Sequence, residues 1–235
     1  MNLLEFSEGR STLVIRCAVF DLDGTLLNTL DTITYHLNNT LTANGLKNIT
    51  VDQCRDFIGN GARLLVSRAV GVSGVTDPTV IGKVLAEYNT AYNRDPLPHT
   101  YPYDGITELV DALCHRGITV GVVTNKPQPT AHQLVEHFFG ETVSFVRGGR
   151  EGAVLKPDPR DTQDAIASVN ATPATTVFIG DTSVDIETGK NVGVALTVGV
   201  SWGFRTVDEL HLAGADFTVD RPCAILGIVD DYEEA

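Results

Sequence analysis

The sequence predicts an α/β protein: a doubly wound parallel sheet with a small α-helical cap domain inserted after the first strand. Three observations carry this. Short apolar runs rich in branched residues recur along the chain and stop at polar turns. Segments with helical apolar spacing alternate with them. One stretch, residues 28–99, keeps helical spacing and contains no convincing strand.

The first run, residues 12–20 (TLVIRCAVF), reads as a buried strand that stops at Asp21-Leu22-Asp23-Gly24-Thr25. Residues 118–123 (ITVGVV) form a second, stopping at Thr124-Asn125. Residues 143–147 are a weaker third, and residues 175–179 (TTVFI) a fourth that stops at Gly180-Asp181. Residues 194–198 and 216–219 are further strand candidates. Helical patterns lie between them at 104–116, 127–139, 159–169 and 183–191, with Pro127 and Pro159 suited to first-turn positions. The insert opens with Tyr35, Leu37 and Leu41 and continues through 61–70 and 80–92. It is expected to stand over the strand ends as a lid, hinged near 28–31 and returning through Pro96-Leu97-Pro98 and Tyr101-Pro102. The expected division is a core of residues 1–27 and 100–235 and a cap of residues 28–99.

Composition narrows the function. The chain has 235 residues, 43% hydrophobic and 20% charged, which suits a globular protein. Its formal net charge of −13 argues against nucleic acid, which needs a basic face to displace counterions. An anionic ligand must therefore be held by local charges. The four cysteines are scattered without a C-x-x-C pair, so free thiols and a cytoplasmic setting are expected. The first dozen residues, with Glu5, Glu8 and Arg10, do not read as a signal peptide, and no run is long enough to span a membrane. Monomer and homodimer both stay open.

The polar residues at the strand ends carry the chemistry. A doubly wound sheet binds ligands at the carboxyl ends of its strands, and there the chain places Asp21 and Asp23, Thr124 and Asn125, Lys156, then Asp181 and Asp185. Crowded carboxylates repel by about 4 kcal/mol at ~4 Å and an effective dielectric of ~20. A divalent cation relieves this, and an all-oxygen donor set favours Mg2+. The same cation, with Lys156, would let an aspartate approach a phosphate dianion. Asp21 is then the nucleophile, Asp23 the acid and base (protonated when it donates), and Thr124 and Asn125 hydrogen-bond donors to the phosphoryl oxygens.

The stretches Phe20-Asp21-Leu22-Asp23-Gly24-Thr25-Leu26, Val122-Val123-Thr124-Asn125-Lys126, Leu155-Lys156-Pro157-Asp158-Pro159 and Gly180-Asp181-Thr182-Ser183-Val184-Asp185 resemble the haloacid dehalogenase superfamily, over about residues 14–219. The resemblance implies that family's Rossmann-like core. It implies Asp21 as nucleophile, Asp23 as acid/base, and magnesium held by Asp21, the Asp23 backbone carbonyl and Asp181, with Asp185 acting through water or Lys156. Aspartate at position 23 favours phosphatases over dehalogenases. Residues 58–65 (IGNGARLL) and 200–205 (VSWGFR) are similar to phosphoglycolate phosphatases, which implies a substrate loop at Asn60 and Gly61 and a substrate carboxylate met by Arg63. Asn28 stands where many members carry an aspartate.

Each motif has a plainer reading. An isolated D-x-D is a solvated turn, Thr124-Asn125 a helix cap, Lys156 a loop lysine, Asp185 a helix cap, Arg63 a surface ion pair and Trp202 a packing residue. Gly59-Asn60-Gly61 lacks the third glycine of a dinucleotide fingerprint and follows no strand. The six histidines have no zinc spacing, and residues 230–234 read as a solvated tail. The ligand expected is a small phosphorylated metabolite, 2-phosphoglycolate first. Pyrophosphate, nucleotides and sugar phosphates are alternatives, as are a sugar phosphomutase and a phospho-accepting receiver-like signalling module.

Overall fold

The computed structural model describes residues 14–150 and 152–234. Residues 12 and 13 of the expected first strand, together with Glu5, Glu8 and Arg10, lie outside the described residues. Strand β1 (Cys17–Phe20) is buried on both faces, as its unbroken apolar sequence requires. It is followed by the two-residue β2 (Leu27–Asn28) and by four helices, α1 (Leu30–Ala43), α2 (Val51–Phe57), α3 (Ala62–Gly71) and α4 (Pro78–Arg94). The chain returns through β3 (Tyr101–Pro102). It then alternates α5 (Ile106–His115), β4 (Thr119–Pro127), α6 (Gln128–Phe139), β5 (Phe145–Gly149), α7 (Arg160–Ser168), β6 (Thr176–Gly180), α8 (Ser183–Val192), β7 (Leu196–Val200), α9 (Val207–Ala213), β8 (Phe217–Val219) and α10 (Ala224–Glu234).

Six strands form one parallel sheet in the order β5-β4-β1-β6-β7-β8. Alternation along β1 sends Ala18 and Phe20 to one face and Cys17 and Val19 to the other. The first face packs with Leu109 and Leu113 of α5, Leu134 of α6, and Ile225 and Val229 of α10. The second packs with Ala165 and Ile166 of α7 and Val192 of α8. The chain leaves β1 for β4 on one side and later crosses to β6 on the other. The topological switch therefore opens a crevice at the end of β1.

The helical insert forms a cap with its own core: Leu37 and Leu41 of α1, Cys54 of α2, Val66 and Val70 of α3, and Val84, Tyr88 and Tyr92 of α4. Thr50 and Gln53 cap the start of α2 reciprocally at 3.1 and 2.9 Å. Asp77 accepts from Thr79 N ahead of Pro78 to start α4. At the hinge, β2 and β3 pair antiparallel, and Asn28 Nδ2 donates to the Tyr101 hydroxyl at 3.1 Å. The sequence does not foreshadow α2, α9, α10 or this two-residue ribbon. Residues 230–234, expected as a solvated tail, finish α10, and Asp230 meets Arg116 at 3.0 Å.

Candidate active site

Four strand ends deliver the polar residues. Asp21 follows β1, Thr124, Asn125 and Lys126 end β4, Lys156 lies in the loop after β5, and Asp181 follows β6. Asp185 occupies the first turn of α8, where Thr182 N and Oγ1 donate to its Oδ2 at 3.0 and 2.8 Å. Its Oδ1 accepts from Lys156 Nζ at 2.7 Å. Lys156 Nζ also stands 2.9 Å from Asp21 Oδ1. That approach lies outside hydrogen-bond angles, so Asp21 Oδ1 is buried without a hydrogen-bond partner.

Asp181 is fully buried. Its Oδ1 accepts from Thr25 Oγ1 at 2.9 Å and its Oδ2 from Phe204 N at 2.8 Å. Two glycines wall it in. A side-chain carbon at Gly24, whose φ of +86° already favours glycine, would overlap the Asp181 carboxylate, and one at Gly203 would overlap its Cβ. Burial pushes the Asp21 carboxyl up to about 6 against the pull of Lys156. Burial, then the Asp185 and Asp21 charges, push Asp181 well above the usual carboxylate range. Burial works against the Lys156 ammonium, but Asp185 and Asp21 outweigh it and hold its proton affinity above the ordinary value. Three acids thus face a single ammonium in a buried site.

These residues fit a small hard divalent cation. One carboxylate oxygen from each of Asp21, Asp181 and Asp185 lies within 4.8 Å of the others. All are oxygen donors, and Asp21 Oδ1, although ion-paired with Lys156, accepts no hydrogen bond.

Asp23 is half-buried at the same opening. Its Oδ1 accepts from Thr29 Oγ1 at 2.7 Å and from Lys126 Nζ at 2.9 Å, and its Oδ2 from Lys126 at 3.2 Å. Thr124 Oγ1 accepts from Lys126 N at 3.3 Å, and Thr124 lines the cavity described below. The Asn125 side chain is engaged by protein: Oδ1 accepts from Lys156 N at 2.8 Å, and Nδ2 donates to Lys156 O and to Gly59 O of the cap.

Between core and cap lies a cavity of about 50 Å³. Asp21, Asp23, Thr124, Asn125 and Lys126 form its floor, and Ile33, Ile58, Ala62, Leu65, Tyr92 and Phe204 line its roof and sides. Gly61 reaches this cavity. Asn60 and Arg63 are not among its lining residues. Asn60 Oδ1 accepts from Arg68 at 3.0 Å, and Arg63 is exposed on the first turn of α3. Arg68 also donates to Phe57 O at 2.8 Å, so it is this arginine that braces the loop ahead of α3.

The segment after β7 ties the two halves together. Trp202 Nε1 donates to Thr25 O at 3.0 Å, which gives it a packing and anchoring place. The Phe204 ring joins the cap's apolar core while its backbone N holds Asp181. The Arg205 guanidinium donates at 2.8 Å to Arg55 O and to Ile58 O at the end of α2. Thr25, Thr29, Lys126, Phe204 and Arg205 are the residues that sequence reasoning did not place in the site. Thr25, Lys126, Phe204 and Arg205 stand inside the motif stretches quoted above, which was their positional signal, whereas Thr29 had none.

A family model described as haloacid dehalogenase-like hydrolase matches residues 18–199. A phosphoglycolate phosphatase of Rhodospirillum rubrum is 34% identical over 195 residues, 80% of each chain. An N-acetylmuramic acid 6-phosphate phosphatase of Pseudomonas aeruginosa is 31% identical over 218 residues, covering 92% of this chain and 95% of that one. A crystal structure from Lactobacillus delbrueckii subsp. bulgaricus, provisionally assigned as a phosphoglycolate phosphatase, superposes with a TM-score of 0.86 at 28% identity. It covers 92% of this chain and 98% of its own.

Proposed function

The chain belongs to the haloacid dehalogenase-like hydrolases, and from that premise we propose that it hydrolyses 2-phosphoglycolate, or a monoester of similar size, through a phosphorylated Asp21. The observation that carries the reading is the buried group of Asp21, Lys156, Asp181 and Asp185, of which Asp21 opens onto a largely apolar cavity between core and cap. Asp21, the Asp23 backbone carbonyl, Asp181 and Asp185 would hold magnesium. When bound, that ion supplies Lewis-acid neutralisation of the phosphoryl oxygens.

The steps belong to the chain's own side chains. A carboxylate oxygen of Asp21 attacks phosphorus as the bond to the ester oxygen breaks. Asp23 gives a proton to the departing alkoxide, and the alcohol leaves. Lys156, fixed by Asp185, offsets charge on the transferring group. Thr124 lines the same space, and Asn125 holds the Lys156 backbone in place. Asp23, now ionised, takes a proton from water as that water attacks the phosphorus, freeing phosphate and Asp21. Residues 28–99 act as the lid that keeps bulk water out during the first step.

What favours 2-phosphoglycolate is likeness: the phosphoglycolate phosphatase of Rhodospirillum rubrum is 34% identical, against 31% for the N-acetylmuramic acid 6-phosphate phosphatase of Pseudomonas aeruginosa. A screen of phosphate esters comparing kcat/KM for 2-phosphoglycolate, N-acetylmuramic acid 6-phosphate, pyrophosphate and sugar phosphates tests this. 2-Phosphoglycolate is expected to lead, and a lead for the amino-sugar phosphate overturns the substrate assignment. Full activity in Asp21→Asn overturns the nucleophile.

A further inference from the structure

We propose that Lys126 is a positioning residue for the acid/base carboxylate of Asp23, and that the Tyr92 hydroxyl makes this positioning depend on cap closure. The inference rests on the phosphatase reading above and deepens it.

The Lys126 side chain is only 2% exposed. Burying an ammonium costs several kcal/mol unless partners replace its water. An ammonium has three protons, and here three acceptors meet it: Asp23 Oδ1 at 2.9 Å, Asp23 Oδ2 at 3.2 Å and the Tyr92 hydroxyl at 2.7 Å. Lys126 is therefore saturated and is not the free cation that a phosphate needs. That place is better filled by Lys156, which contacts Asp21. What Lys126 does is fix a carboxylate. Thr29 restrains Asp23 from the chain just after β2, and Lys126 restrains it from the end of β4 across 103 residues. The two partners leave Asp23 one orientation rather than a fan of rotamers.

Tyr92 comes from the other side of the cavity. It sits on α4, buried in the cap's apolar core, and its ring centroid is 4.3 Å from Lys126 Nζ. When the cap lifts, α4 carries the hydroxyl away and the ammonium loses an acceptor and an aromatic face. Lys126 is then free to swing, and Asp23 with it. The acid/base group is thus fully placed when the cap covers the substrate, which keeps proton transfer in step with exclusion of water.

The test compares kcat/KM for an alkyl phosphate and for p-nitrophenyl phosphate in Lys126→Gln, Tyr92→Phe and the double variant. This ratio reports steps up to cleavage of the ester bond, so slow release of phosphate from the enzyme does not mask it. An alkoxide needs the proton from Asp23, whereas p-nitrophenolate departs without it. General acid catalysis is worth about 10²–10⁴-fold, and a misplacement of ~1 Å can cost about 10²-fold. Lys126→Gln is expected to lower the alkyl value at least tenfold more than the aryl one. Tyr92→Phe, which keeps the ring and its packing, is expected to shift the ratio the same way by a few-fold and to add nothing in the Lys126→Gln background. Equal losses on both esters, or a Tyr92→Phe effect that persists undiminished in the double variant, reduce Lys126 to glue between cap and core and overturn the proposal. Should Lys126→Gln fail to fold, the Tyr92→Phe ratio decides alone. If the wild-type protein turns over neither ester, the phosphatase reading itself falls and this inference goes with it.

Discussion

Replacing Asp21 with asparagine is expected to make the metal-free protein more stable while ending turnover. Burial raises the Asp21 carboxyl from 3.8 to about 6. At 1.36 kcal/mol per tenfold change in proton affinity, that difference amounts to about 3 kcal/mol. The sign follows from linkage. A carboxyl held above its unfolded value contributes stability that is whole below pH 3.8 and is lost as pH rises through about 6. At pH 7.5 the native state therefore carries the full cost of the ionised group, and asparagine, which mimics the protonated form, removes it. At pH 5 the gain is about half as large. For a chain of this length, about 3 kcal/mol corresponds to a rise of roughly 6–12 °C in Tm. The assay is thermal unfolding in EDTA at pH 5 and pH 7.5, repeated with saturating Mg2+, which is expected to narrow or reverse the order because the variant lacks one anionic donor. An Asp21→Asn protein that melts at or below the wild-type temperature in EDTA at pH 7.5 refutes the reasoning.

Two further outcomes follow from the same group. Protons compete with a cation for Asp21 and Asp181, both held above the ordinary carboxylate range, so the gain in Tm from Mg2+ is expected to shrink as pH falls from 7.5 through about 6; a gain that is equal at pH 5 contradicts this. Gly203→Ala drives a methyl into Asp181 Cβ and the Gly24 carbonyl, neither of which can swing aside, so a loss of about 1–3 kcal/mol and weaker Mg2+ binding are expected by melting and titration. Unchanged Mg2+ affinity in that variant would show that Asp181 tolerates displacement.

The sheet was legible where strands are buried on both faces, because the stretches 17–20, 120–123 and 177–179 of β1, β4 and β6 must then be apolar. The helices α1, α3 and α4 announce themselves by spacing. In contrast, α2 has seven residues with only Cys54 buried, so periodicity has almost nothing to act on. In α10, Ile225 and Val229 sit four apart and face the core, a pair too brief to outweigh the acidic end. Strand-end acids could be read from order alone, since topology fixes where strand ends go. Side-chain partners could not. Lys126 reaches Asp23 and Tyr92 across 103 and 34 residues, and its place after Thr124-Asn125 does not say which partners it meets. Arg63 and Arg68 both lie on α3, and only the exit direction of each from the helix decides which one meets Asn60.

The segment after β7 bears on how such proteins can be recombined. Phe204 is attached to the sheet by covalent chain, yet its ring completes the hydrophobic interior of the insert, and Arg205 terminates a helix that belongs to the other half. A chimera that grafts a relative's lid between residues 28 and 100 would leave this aromatic and this guanidinium facing a foreign surface. The lid and residues 201–205 therefore form one transplantable module, although about 100 residues of chain separate them.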